Sequence, residues 1–96
     1  MSAAPAPLVS VVTVNRNHLA GLKKTMASVM EQTYANCEFI VVDGASTDGS
    51  REAIEARADK IARWVSEPDQ GVYDAMNKGV RMARGQYVQF LNSGDW

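Results

Sequence analysis

An α/β fold, a mainly parallel sheet flanked by helices, is what this 96-residue sequence predicts, on three observations. Short β-branched runs alternate with longer segments of helical periodicity. The intervening segments are too long for hairpins, so successive strands need crossover connections, which are right-handed in parallel sheets. Asn, Asp, Ser and Gly gather after the strands, where open α/β sheets bind their ligands.

The elements follow in order. Leu8 to Val14 is short and almost continuously apolar, as a strand covered on both faces would be. Leu19, Leu22, Met26, Val29 and Met30 recur at helical spacing, with Asn17 available as an N-cap. Phe39 to Val42 is a second buried strand. Ser50 to Ala58 carries Ile54 and Ala58 on one helical face, and Asp48 stands where its N-cap belongs. Ile61 to Val65 reads as a weaker strand whose Trp64 and Val65 pack inward. A third helix is expected from Val72 to Ala83, closed by Gly85 as a C-terminal cap. Gln86 to Leu91 alternates as a fourth strand, with Tyr87 assigned to packing. Met26, Met30 and Met82 are expected to fill the core. The order is β-α-β-α-β-α-β.

Composition narrows the function. Ninety-six residues make one small domain at most, here 8–96 after a flexible leader at 1–7. A net charge of −1, with basic and acidic residues interleaved, argues against a nucleic-acid partner, because phosphate backbones select clustered Lys and Arg. No apolar run approaches the roughly 20 residues of a membrane helix, so no transmembrane segment is expected in this chain. Cys37 is the single cysteine, which excludes an internal disulfide and fits a cytoplasmic location. His18 is also single, so neither a His/Cys zinc site nor a histidine-based triad can be assembled.

The sheet rule converges four polar segments on one edge: Thr13 to Asn17, Asp43 to Asp48, Glu67 to Asp74, and Asn92 to Asp95. Gly44 to Ser50 has the glycine spacing of a P-loop, but no lysine precedes the hydroxyl and the segment follows the second strand. A dinucleotide site needs glycines after strand one, where Val14 to Asn17 has none.

What remains resembles the family 2 glycosyltransferases from Leu8 to Trp96. The resemblance is carried by Val9 to Asn17, Glu31-Gln32-Thr33, Phe39 to Gly49, Gly71 to Gly79, and Ala83 to Asp95, in order and at family spacing. It implies a Rossmann-like sheet of the GT-A type, stopping after the fourth strand. It implies a nucleotide-sugar donor, UDP-linked by default, and a saccharide or lipid-linked acceptor, in cell-surface polysaccharide or glycolipid synthesis. Carried over residue by residue, the donor site is Thr13, Val14, Asn15, Asn17, Asp43, Asp74, Asn77, Lys78, Asn92, Ser93 and Asp95. Asp43 would accept a hydrogen bond from base or ribose, and Thr13 to Asn17 would cradle the base. Asp95 would hold Mn²⁺ or Mg²⁺ on the diphosphate, since hard oxygen ligands suit those cations. It is the one carboxylate in Asn92-Ser93-Gly94-Asp95, where the family often has Asp-x-Asp-Asp. Asp74 and Lys78, at i and i+4, suit either a helical ion pair or a sugar-facing pair. The outcome implied is inverting, with a catalytic base beyond residue 96 and none in this chain. The inner face of the membrane is a further possible location for the full-length protein. Two rivals stay open: a sugar-nucleotide pyrophosphorylase, and a non-catalytic nucleotide-binding module.

Overall fold

The computed structural model describes residues 8–31 and 37–93. Its centre is strand β1, Val9–Asn15, whose residues are all buried after the first. Helix α1, Leu19–Glu31, leads to β2, Cys37–Asp43. Helix α2, Ser50–Ala56, is followed by a 3₁₀ turn at Ala58–Lys60 and by β3, Arg63–Ser66. Helix α3, Val72–Met82, and β4, Tyr87–Phe90, complete the order. The strands lie β3-β2-β1-β4, and every described pair is parallel. The predicted fold class and element order are therefore found, with boundaries moved by one or two residues.

Period-two alternation along β1 explains the two-sided core. Val11 packs with Leu22, Met26, Phe39, Val41 and Ile54 on the α1 and α2 side. Val12 and Val14 pack with Ile40, Val42 and Ala75 on the α3 side. A Cβ at Gly79 would come within 2.3 Å of Val12 Cγ1, so α3 crosses β1 at a distance that only glycine permits.

At the amino end of the sheet, Glu38 ties four segments together. Its carboxylate accepts from Ser10 Oγ at 2.6 Å, Arg63 Nη1 at 2.7 Å and the Arg84 backbone N–H at 2.6 Å. Burial pushes its pKa up, but these hydrogen bonds and the Arg63 charge outweigh it and bring the carboxyl down to about 2.

Four local expectations are corrected. Asn17 does not cap α1: its Oδ1 accepts from the Thr47 backbone N–H at 2.7 Å, and Asp48 Oδ2 accepts from Leu19 N–H at 2.8 Å instead. Asp48 is one residue early for capping α2, whose N-cap is Gly49 at φ 96 with no side-chain cap; it still accepts from Ser50 N–H at 3.1 Å. Helix α3 ends at Ala83 in extended conformation, and Gly85 beyond it donates its N–H to Ser10 Oγ at 2.8 Å. Tyr87 does not pack, being 62% exposed on β4, an outermost strand of the described sheet.

Candidate functional site

The carboxyl ends of β1, β2 and β3 and the loop after β4 meet through one buried carboxylate. Asp43, the last residue of β2, is fully buried beside Asn15, the last residue of β1. Asp43 Oδ1 accepts from Asn15 Nδ2 at 2.8 Å and from Ser46 Oγ at 2.7 Å. Its Oδ2 accepts from Ser46 N–H at 3.0 Å and from Ser66 Oγ, the end of β3, at 2.8 Å. Two carboxylate oxygens offer about four acceptor positions, and all are taken. Ser93, after β4, joins by donating to Asn15 Oδ1 at 2.7 Å.

This buried layer shapes the loops above it. Asn17 sits in the left-handed region at φ 50, which asparagine tolerates better than most residues. Its N–H donates to Ser46 Oγ at 2.7 Å while its side chain holds Thr47, so the loops after β1 and β2 fix one another. Asp48 then bridges α1 and α2. Burial raises its pKa, but bonds from Ser50 and the Leu19 N–H carry it below the ordinary carboxylate range.

The sequence-derived site residues divide into three groups. Thr13, Val14, Asn15, Asp43 and Ser93 lie together inside the carboxyl edge and present almost no side-chain surface. Asn17 and Asn92 are exposed on the same edge. Asp74, Asn77 and Lys78 sit on α3, where Asp74 Oδ2 accepts from Gln70 N–H at 3.0 Å. Lys78 is surrounded by acids: it pairs with Asp69, with Glu67 at 3.1 Å and with Asp74 at 4.0 Å. The Asp69 hydrogen bond raises its pKa; burial opposes the rise and Glu67 adds to it, so the ammonium stays charged and already neutralised. Asp95 lies outside the described residues.

Ser46, Ser66, Gly21 and Arg16 were not foreseen as site residues. Ser66 could not be found from spacing, because it meets Asp43 from a neighbouring strand, whereas Ser46 lies only three residues beyond Asp43, a local spacing that could have signalled the contact. Arg16 was visible: it is the one basic residue in the four polar segments, it is exposed, and Asn15 and Asn17 on either side of it are both anchored.

Asp95, the residue expected to hold a divalent cation, is not among the described residues. No group of three or more His, Cys, Asp or Glu among them could hold one, and Asp43 has no acceptor position left. No helix of the described residues is long and apolar enough to cross a membrane.

Comparison with known proteins sets this geometry in context. A family model described as glycosyl transferase family 2 matches residues 10–96. An uncharacterized glycosyltransferase of Mycobacterium tuberculosis strain CDC 1551 is 45% identical over 91 residues, covering 94% of this chain and 35% of the relative. A Bacillus subtilis strain 168 glycosyltransferase named for teichuronic acid biosynthesis is 38% identical over 93 residues, covering 93% of this chain and 36% of the relative. Among solved structures, a Pyrobaculum calidifontis mannosyltransferase in complex with GDP-Man and Mn²⁺ superposes with a TM-score of 0.82. It is 30% identical, over 91% of this chain and 27% of that one. The chain thus spans about a third of the length of the curated relatives it matches.

Proposed function

This chain belongs to glycosyl transferase family 2, and from that premise we propose that the full-length protein moves a sugar from a nucleoside-diphosphate donor to a saccharide or lipid-linked acceptor. Cell-surface polysaccharide or glycolipid synthesis is the setting, in keeping with the relative named for teichuronic acid biosynthesis. The observation that carries the proposal is the meeting of the carboxyl ends of β1, β2 and β3 on the Asp43 carboxylate, with the loop after β4 joined through Asn15. That is where nucleotides bind in such sheets.

The residues divide the work by exposure. Asp43 and Asn15, fully committed to one another and to Ser46 and Ser66, hold the loops in place and leave the contacts to others. Asn17, Asn92 and the backbone after β1 offer hydrogen bonds to base and ribose. Arg16 supplies positive charge for the diphosphate, a role that Lys78 cannot fill while three carboxylates surround it. Asp95 is the residue that would hold Mn²⁺ or Mg²⁺, which when bound would supply Lewis-acid chemistry toward the leaving diphosphate. Inversion at the sugar follows from the family reading, with the base in the remainder of the protein. UDP is the proposed nucleotide; the solved mannosyltransferase holds GDP-Man, so a guanosine donor is the alternative to test.

The test is release of nucleoside diphosphate from UDP- and GDP-sugars by the full-length protein, with and without a saccharide acceptor. Acceptor-stimulated release supports the proposal. Preference for a nucleoside triphosphate with pyrophosphate formation would support the pyrophosphorylase rival, and no nucleotide binding at all the non-catalytic one.

A further inference from the structure

Ser93 is held harder than its size explains. Its hydroxyl lies 2.7 Å from Asn15 Oδ1 and 3.2 Å from Val14 O, two acceptors for one proton. Through Asn15 Nδ2 the contact continues to Asp43, and from there to Ser46 and Ser66. Its carbonyl group rests against the first turn of α1. A Cβ at Gly21 would stand 1.6 Å from Ser93 O and 2.8 Å from its carbonyl carbon. Helix α1 and the loop after β4 therefore meet backbone to backbone, which any side chain at position 21 forbids.

Resting on the donor reading above, we propose that Ser93 and Gly21 are positioning residues. They fix where exposed Asn92 sits and the point from which the chain runs on to Asp95, two residues later. Donor binding then depends on a hydroxyl that never touches the donor.

The experiment uses the full-length protein and the variants Ser93→Ala, Ser93→Thr and Gly21→Ala. A displacement of about 1 Å, even from a mutation far from the chemistry, can cost about 100-fold, so a smaller shift is expected to cost about tenfold. Ser93→Ala should raise the KM for the sugar nucleotide about tenfold and leave the acceptor KM unchanged, and Ser93→Thr, which keeps the hydroxyl, should restore most of it. Gly21→Ala should act in the same direction and more strongly. The side-chain amide protons of Asn15, followed by NMR, should shift and exchange faster in Ser93→Ala whatever the substrate. An unchanged donor KM, equal rises in both KM values, or unchanged Asn15 signals would each overturn the proposal. A wild-type protein that binds no sugar nucleotide overturns the donor reading and the positioning role with it, while the Asn15 signals still report whether the Ser93–Asn15 contact exists.

Discussion

Replacing Glu38 by Gln removes the charge on which four segments converge, and its effect on stability must depend on pH in one direction. The folded carboxyl titrates at about 2 against an ordinary value of 4.5. Because the folded pKa is depressed, the stabilisation is complete above the unfolded value and drains away as pH falls from 4.5 towards 2. A difference of about 2.5 units, at about 1.36 kcal/mol each, corresponds to roughly 3 kcal/mol at pH 7. The same linkage leaves roughly 1.4 kcal/mol at pH 3. The side chain is only 10% exposed, so solvent screens little of this. Gln cannot substitute, because its amide would turn an N–H toward Ser10, Arg63 or Arg84, all of which donate. Urea unfolding of wild type and Glu38→Gln, at pH 7 and pH 3, measures the difference at each pH. A gap that halves or better on acidification supports the linkage. A gap of equal size at both pH values would refute it, leaving Glu38 a matter of shape.

Three further predictions follow from single contacts. Gly79→Ala should lower stability by about 1–3 kcal/mol, since the new methyl meets Val12 in a filled core; thermal unfolding reads it. Asp48→Ala should cost about 1 kcal/mol by uncapping α1, seen as a lower urea midpoint, whereas Asn17→Ala should leave the α1 amide of Leu19 as protected from exchange as before. Arg16→Ala should weaken sugar-nucleotide binding about fivefold, with the difference shrinking at high salt, because an exposed charge contact contributes on the order of 1 kcal/mol.

The parallel sheet was legible because its signal is local. Val11, Val12 and Val14 are interrupted only by Thr13, Phe39 to Val42 is an unbroken apolar run, and Leu22 and Met26 recur at helical spacing. What sequence reasoning missed is carried by partners far away in the chain. Asn17 and Asp48 have the right chemistry for caps, yet Asn17 holds Thr47, 30 residues on, and Asp48 reaches back 29 to Leu19. Glu38 reads as a polar interruption at the start of a strand until Arg63 and Arg84 are folded against it. Asp43 reads as the end of a strand at the carboxyl edge, but whether it faces a ligand or its neighbours depends on Asn15 and Ser66, 28 and 23 residues away, as well as on Ser46 three residues on. Tyr87 alternates like a packed residue, and only the strand order places it on an outermost strand of the described sheet.

The central claim is that the Asp43 cluster organises a nucleoside-diphosphate-sugar site. Calorimetric titration of the full-length protein with UDP and GDP, in Mn²⁺ and in EDTA, tests it most directly when Asp43→Ala and Asp95→Ala are run beside wild type. Wild type should bind one nucleotide in a metal-dependent manner, and both variants should lose that binding. Binding that survives Asp43→Ala unchanged, in a variant that remains folded, would contradict it.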